Sequence, residues 1–181
     1  MRIGLIDVDA MSRKKAKYPN LALMKLSAWH KKQGDEVEWW NGLLHYDRVY
    51  VSKVFSDSYA PDIEYAINAD EVIRGGSGYC IDTVDGKEEY RTERDSRLPY
   101  EVEHIYPDYE LYPELTKDTA YGFLTRGCPW GCHFCVVDKK EGRRSRKVAD
   151  LSEWWNGQKE IVLLDANILI NAEYMCLCSL R

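Results

Sequence analysis

The residues best suited to chemistry are three cysteines in one short stretch, Gly127-Cys128-Pro129-Trp130-Gly131-Cys132-His133-Phe134-Cys135. Their C-x3-C-x2-C spacing cannot spread along a helix face, but it can converge from one loop onto a single metal centre. Gly127, Pro129 and Gly131 supply the tight turns such a loop needs. Thiolates are soft donors and suit zinc or an iron–sulfur cluster. Three local donors leave one coordination position unfilled. A closed four-ligand site is usually structural, whereas an open position usually receives substrate or cofactor. An iron–sulfur cluster is one assignment. A zinc site completed by His133 or by a cysteine of the tail is the alternative. Cys176 and Cys178 form a C-x-C pair that reads as incidental or buried thiols, with a fourth-ligand role as the competing assignment. Cys80 reads as a small core residue.

Other candidate groups give weaker signals. Lys139, Lys140, Arg143, Arg144, Arg146 and Lys147 place six basic residues in nine positions, with Glu141 opposing them. This reads first as a solvated loop beside an anionic centre, and second as a nucleic-acid or acidic-substrate contact. No aromatic residue interleaves it, so no base-stacking surface is indicated. Gly75-Gly76-Ser77-Gly78 lacks both the third glycine of a dinucleotide fingerprint and a Walker lysine, and reads as a turn. Asp7 and Asp9 close the first strand, where open α/β sheets bind ligands. With no partner acid, they read as helix-capping or solvated groups rather than as a Mg²⁺ pair.

The elements that must position these groups follow from apolar patterning. Residues 3–8 form a short apolar run of buried-strand type. Asn20 opens a helix as its N-cap and Gly34 stops it, with Ala22, Leu26 and Trp29 as one packing face. Residues 36–40, 48–55 and 71–74 read as further strands, so strand–helix–strand order predicts a small parallel α/β sheet. From 82 to 118 acids and tyrosines dominate among scattered prolines, and the stretch reads as a linker or irregular hairpin region. A second α/β pattern starts at 119. Residues 120–124 form a strand that feeds the cysteine loop, 151–158 a helix, and 160–164 another buried strand. The expected organisation is therefore a 1–81 domain, an 82–118 linker and a 119–181 domain.

The chain has 181 residues, is 45% hydrophobic and 30% charged, and carries a net charge of -5. With about 150 residues per domain, this is one domain or slightly more, able to bury a core. Mild acidity argues against a surface built wholly for nucleic acid or anionic lipid. No apolar run approaches the roughly 18 residues of a membrane helix, and the start turns acidic too soon for a secretory signal. The expectation is a cytoplasmic protein with reduced thiols and no membrane partner.

Cys128, Cys132 and Cys135, with the aromatic Phe134 before the last, resemble the CxxxCxxC signature of radical S-adenosylmethionine (SAM) enzymes. The resemblance implies that the three thiolates hold three irons of a [4Fe–4S] cluster while SAM chelates the fourth. Reductive cleavage of SAM then yields a 5′-deoxyadenosyl radical. It implies that Phe134 lies beside the adenine. It implies a partial (β/α) barrel whose first strand feeds the cysteine loop, and a flavodoxin- or ferredoxin-like electron donor as partner. Asp165 and Asn167 stand after the second strand, where the family places a SAM amino-group contact, with turn capping as the competing role. Residues 1 to about 80 resemble the Rossmann-like cobalamin-binding-type domain that precedes many such barrels. That subgroup's Asp-x-His-x-x-Gly motif has no counterpart around His30, His45, His104 or His133, which marks a degenerate relative and leaves cobalamin in question. Only 46 residues follow Cys135, room for at most two βα units at about 30 residues each. The chain is thus expected to be a truncated version of a longer enzyme, unable to complete catalysis alone, with its substrate unread.

Overall fold

The computed structural model describes residues 1–12 and 18–170 and divides into two compact units, Met1–Lys117 and Asp118–Arg181. The first unit is mixed α/β. Strands β1 (Arg2–Asp7), β2 (Glu36–Trp39), β3 (Tyr46–Ser52) and β4 (Ala69–Gly75) form a four-stranded sheet in the order β2-β1-β3-β4. All three pairings are parallel. A short helix α1 (Val8–Met11) follows β1, and helix α2 (Leu21–Lys32) carries the chain from β1 to β2. Asn20 caps α2 as expected, its side chain accepting from the Leu23 amide at 3.2 Å.

Because successive strand residues point to opposite faces, β1 supplies both cores. Ile3 and Leu5 pack with Leu23, Leu26 and Val102 on the helix face; Ile6 packs with Tyr46, Val49, Val51 and Ala60 on the other. Among the described residues no long helix covers the second face. Residues Leu44, Tyr59, Ile63 and Ile67 from the loops on either side of β3 cover it, with Trp40 stacked on Tyr65 at 5.2 Å.

Two expectations change here. The buried stripe of α2 runs through Leu23, Ser27 and His30, with Trp29 only partly buried. Polar residues can sit there because each has a partner: Ser27 donates to Asp108 at 2.6 Å, and His30 lies between Asp35 (2.6 Å) and Tyr50 (3.0 Å). The partner for this face comes from the stretch read as a linker. Residues 82–117 cluster with the first unit. They form the hairpin β5 (Ile81–Val84) with β6 (Lys87–Tyr90), and helix α3 (Tyr100–Glu103), whose Val102 enters the core. Lys25 donates to the Glu103 backbone and pairs with its carboxylate at 3.2 Å, and Asp108 also binds Lys31 at 2.7 Å. A final short helix, α4 (Pro113–Thr116), ends the unit.

Asp7 and Asp9 are buried rather than solvated. Asp7 caps α1 through the Ala10 amide and accepts from the Tyr112 hydroxyl at 2.6 Å. Asp9 accepts from the amides of Val54 (2.6 Å) and Phe55 (3.1 Å). Burial raises both carboxyls above their usual range, and burial likewise raises the Tyr112 hydroxyl. Gly75-Gly76-Ser77-Gly78 is a turn, as expected, running from β4 into a one-turn 3₁₀ segment, Ser77–Cys80.

The second unit is thinner. β7 (Thr119–Gly122) pairs in parallel with β10 (Glu160–Leu163), matching Ala120 to Ile161 and Gly122 to Leu163. Between them lie β8 (Thr125–Arg126), helix α5 (Val137–Glu141) and β9 (Arg146–Lys147), with β8 and β9 antiparallel. The helix expected over 151–158 is only a 3₁₀ turn, Leu151–Glu153, capped by Asp150 and Glu153 in a capping box. The turn ends at Trp154, whose φ of -141° leaves the helical region, and Gly157 follows in the left-handed region at φ +86°.

Candidate metal centre

β7 carries the chain to the cysteine loop. Its last residue, Gly122, lies against the Trp154 indole, where any Cβ would stand 2.2 Å from the ring. Trp154 is buried there together with Ala120, Tyr121 and Leu124. This small core fixes where the loop begins.

Two carboxylates then fix its path. Asp165, just beyond β10, accepts from the Leu124 amide at 3.1 Å, from the Thr125 amide, and from the Thr125 hydroxyl at 2.6 Å. Glu141, at the end of α5, accepts from Arg126 Nη1 at 2.9 Å and from the Gly127 amide at 3.0 Å. Arg126 also lies over the Phe123 ring, 3.9 Å from its centroid. Next along, the Cys128 amide donates to the Gly142 carbonyl at 3.1 Å. Gly127 has φ +95°, and a Cβ there would meet the Arg144 carbonyl at 2.3 Å, so this position requires glycine.

Cys128, Cys132 and Cys135 line one small concavity with Gly131, Val137 and Asp138. Cys132 is exposed, the other two are half-buried, and all three are free thiols. The Cys135 amide donates to the Cys132 carbonyl at 3.0 Å, closing the second half of the loop into a turn. The donors share a cavity, yet among the described residues no three His, Cys, Asp or Glu side chains already stand together as a metal-ion site. In residue type the trio suits a thiolate-bound centre.

The other sequence candidates fall as follows. Asn167 Nδ2 lies 3.9 Å from the Cys128 sulfur, so Asn167 borders the cysteine loop. Phe134 is 79% exposed and edge-on to His133 at 5.2 Å, and is not among the residues that line the concavity. Asp165 holds the loop's base. Cys80 is buried in the first unit, as expected. Cys176 and Cys178 lie outside the described residues. Of the basic run, Lys139, Arg143, Arg144, Arg146 and Lys147 are exposed around the loop, with Arg143 paired to Asp138 at 3.3 Å and Lys147 to Asp150 at 2.6 Å. Sequence reasoning did not assign Glu141 a role. The available signal was a single acid inside a basic run, which is where an internal ion pair is expected.

Comparison of the chain with protein-family models, with curated proteins and with solved structures gave no match.

Proposed function

We propose that this chain is a radical SAM-type protein in which Cys128, Cys132 and Cys135 hold a [4Fe–4S] cluster and leave one iron for the amino and carboxylate groups of SAM. The observation that carries the reading is the trio of free thiols lining one concavity, a few residues beyond the parallel strand β7 and the short strand β8. Cys128, Cys132 and Cys135 would hold the cluster, which would supply the electron for reductive cleavage of SAM and so hydrogen-abstraction chemistry.

This chain's residues bind and orient. Phe134 presents an exposed ring for the adenine. Asn167 sets an amide beside the Cys128 sulfur, where an N–H donor stabilises thiolate charge. Asp165 uses three of about four carboxylate acceptor positions inside the fold, so at most one remains for the SAM ammonium. The β7–β10 parallel pair is what the first two strands of a (β/α) barrel would supply. The β2-β1-β3-β4 order of the first unit suits a Rossmann-like, cobalamin-binding-like domain. Cobalt ligation by its buried histidine is disfavoured, because both ring nitrogens of His30 already have partners. An acidic flavodoxin- or ferredoxin-like donor would meet the basic residues around the loop, and a reduced cluster points to the cytoplasm.

A second reading, a metal-stapled module without SAM chemistry, is favoured by the small apolar core of the second unit. Anaerobic reconstitution separates the two. Iron and sulfide near four each per chain support the cluster, and zinc alone supports the module.

A further inference from the structure

We propose that Glu141 is a positioning residue that sets the shape of the cysteine loop and holds the cluster's reduction potential low; the inference rests on the iron–sulfur reading above. Glu141 is largely buried, with its side chain 11% exposed, although it sits in the most basic stretch of the chain. Its two oxygens divide the work. Oε1 takes Arg126, and Oε2 takes the Gly127 amide, the residue immediately before the first cysteine. The next amide, Cys128, is taken by the carbonyl of Gly142, the residue after Glu141. The end of α5 therefore grips two successive amides at the point where the loop must start in a left-handed conformation.

The electrostatic consequence follows from cluster chemistry. Backbone N–H groups aimed at cluster sulfurs and positive charge nearby raise a cluster's potential. Here the Gly127 and Cys128 amides are committed to oxygen acceptors. The Arg126 charge beside the loop is balanced by a carboxylate. Both effects make added electron density less favourable, the direction needed to reduce a sulfonium.

The test compares the wild type with Glu141→Gln and Glu141→Ala after anaerobic reconstitution. The readouts are iron and sulfide content, midpoint potential, and amide exchange of the unloaded proteins. Glu141→Gln keeps an acceptor for Gly127 but removes the charge; the expected result is near-normal iron with a positive shift in potential. Glu141→Ala frees the Gly127 amide; the expected result is faster exchange at 127 and 128, a several-fold loss of iron at limiting supply, and an equal or larger positive shift in the fraction that loads. If the alanine variant also loses protection of β7 and β10, the glutamine variant decides through its potential. A loaded wild type whose variants match it in iron and potential overturns this inference and leaves the cluster assignment standing. A wild type that takes up no iron overturns both.

Discussion

The two units bury their polar groups for different ends. In Met1–Lys117 the polar interior supports a core that would exist without it. Two apolar clusters flank a four-stranded sheet; Ser27 and Lys25 are tied down by partners from 82–117, and His30 by Asp35 and Tyr50. In Asp118–Arg181, both apolar clusters are absent, and the buried apolar residues among those described are Ala120, Tyr121, Leu124 and Trp154. The order of the cysteine loop comes from carboxylates gripping backbone amides. A region with so little apolar burial gains most from an added crosslink, and a metal centre provides one. The contrast is between a unit ordered by apolar burial and one whose described loop is ordered by carboxylate–amide bonds.

The largest effect expected from this contrast is selective response to metal. Chelating the iron of reconstituted protein should speed amide exchange in β7 and β10 and leave β1 and β3 unchanged, measured by exchange with mass spectrometry. Uniform loosening of both units would erase the distinction. Next, Leu23→Ala empties a fully buried site in the first core and should cost about 2–5 kcal/mol in denaturant unfolding, with iron content unaltered. Asp165→Ala strands the amides of Leu124 and Thr125 and should destabilise the second unit by about 1–3 kcal/mol, with no change in the first. Lys147→Ala, at an exposed pair with Asp150, should stay within about 0.5 kcal/mol in the same assay.

Protonation sharpens the same comparison. The Asp7 carboxyl is raised by burial even though Tyr112 and Ala10 donate to it. The folded state thus favours its protonated form. That contribution is fully present below the ordinary carboxylate value of about 3.9 and is lost as pH rises through the higher folded value. Asp7→Asn should flatten this dependence in first-unit stability measured from about pH 4 to 7. An unchanged pH profile would show that Asp7 is not the group responsible.

Sequence alone made the sheet legible because its signals are local. β1 reads as an apolar run, the Asn20 cap announces α2, and the cysteine spacing announces one loop. What escaped depends on distant pairing. Residues 82–117 look like a linker because their acids and tyrosines follow no period. Their roles as partners of Lys25, Ser27, Lys31 and Asp7 lie 77 to 105 positions away in the chain. The expected face of α2 was incomplete: Leu26 lies in the core and Trp29 packs against it, but Ser27 and His30 are also interior, held by Asp108, Asp35 and Tyr50. At the candidate site the thiols were readable from spacing, whereas Glu141 and the amide-gripping role of Asp165 depended on where β10 and α5 end. The helix expected over 151–158 stops after one turn, because Trp154, buried in the small core, leaves the helical region at φ -141°.

The most direct test is electron paramagnetic resonance of the reduced, anaerobically reconstituted chain, recorded without and with SAM. Three thiolate ligands and one open iron predict a [4Fe–4S]⁺ signal whose line shape changes when SAM is added, and which disappears when Cys128, Cys132 and Cys135 are replaced together by serine. A signal indifferent to SAM, or iron loading that survives the triple replacement, would contradict the account.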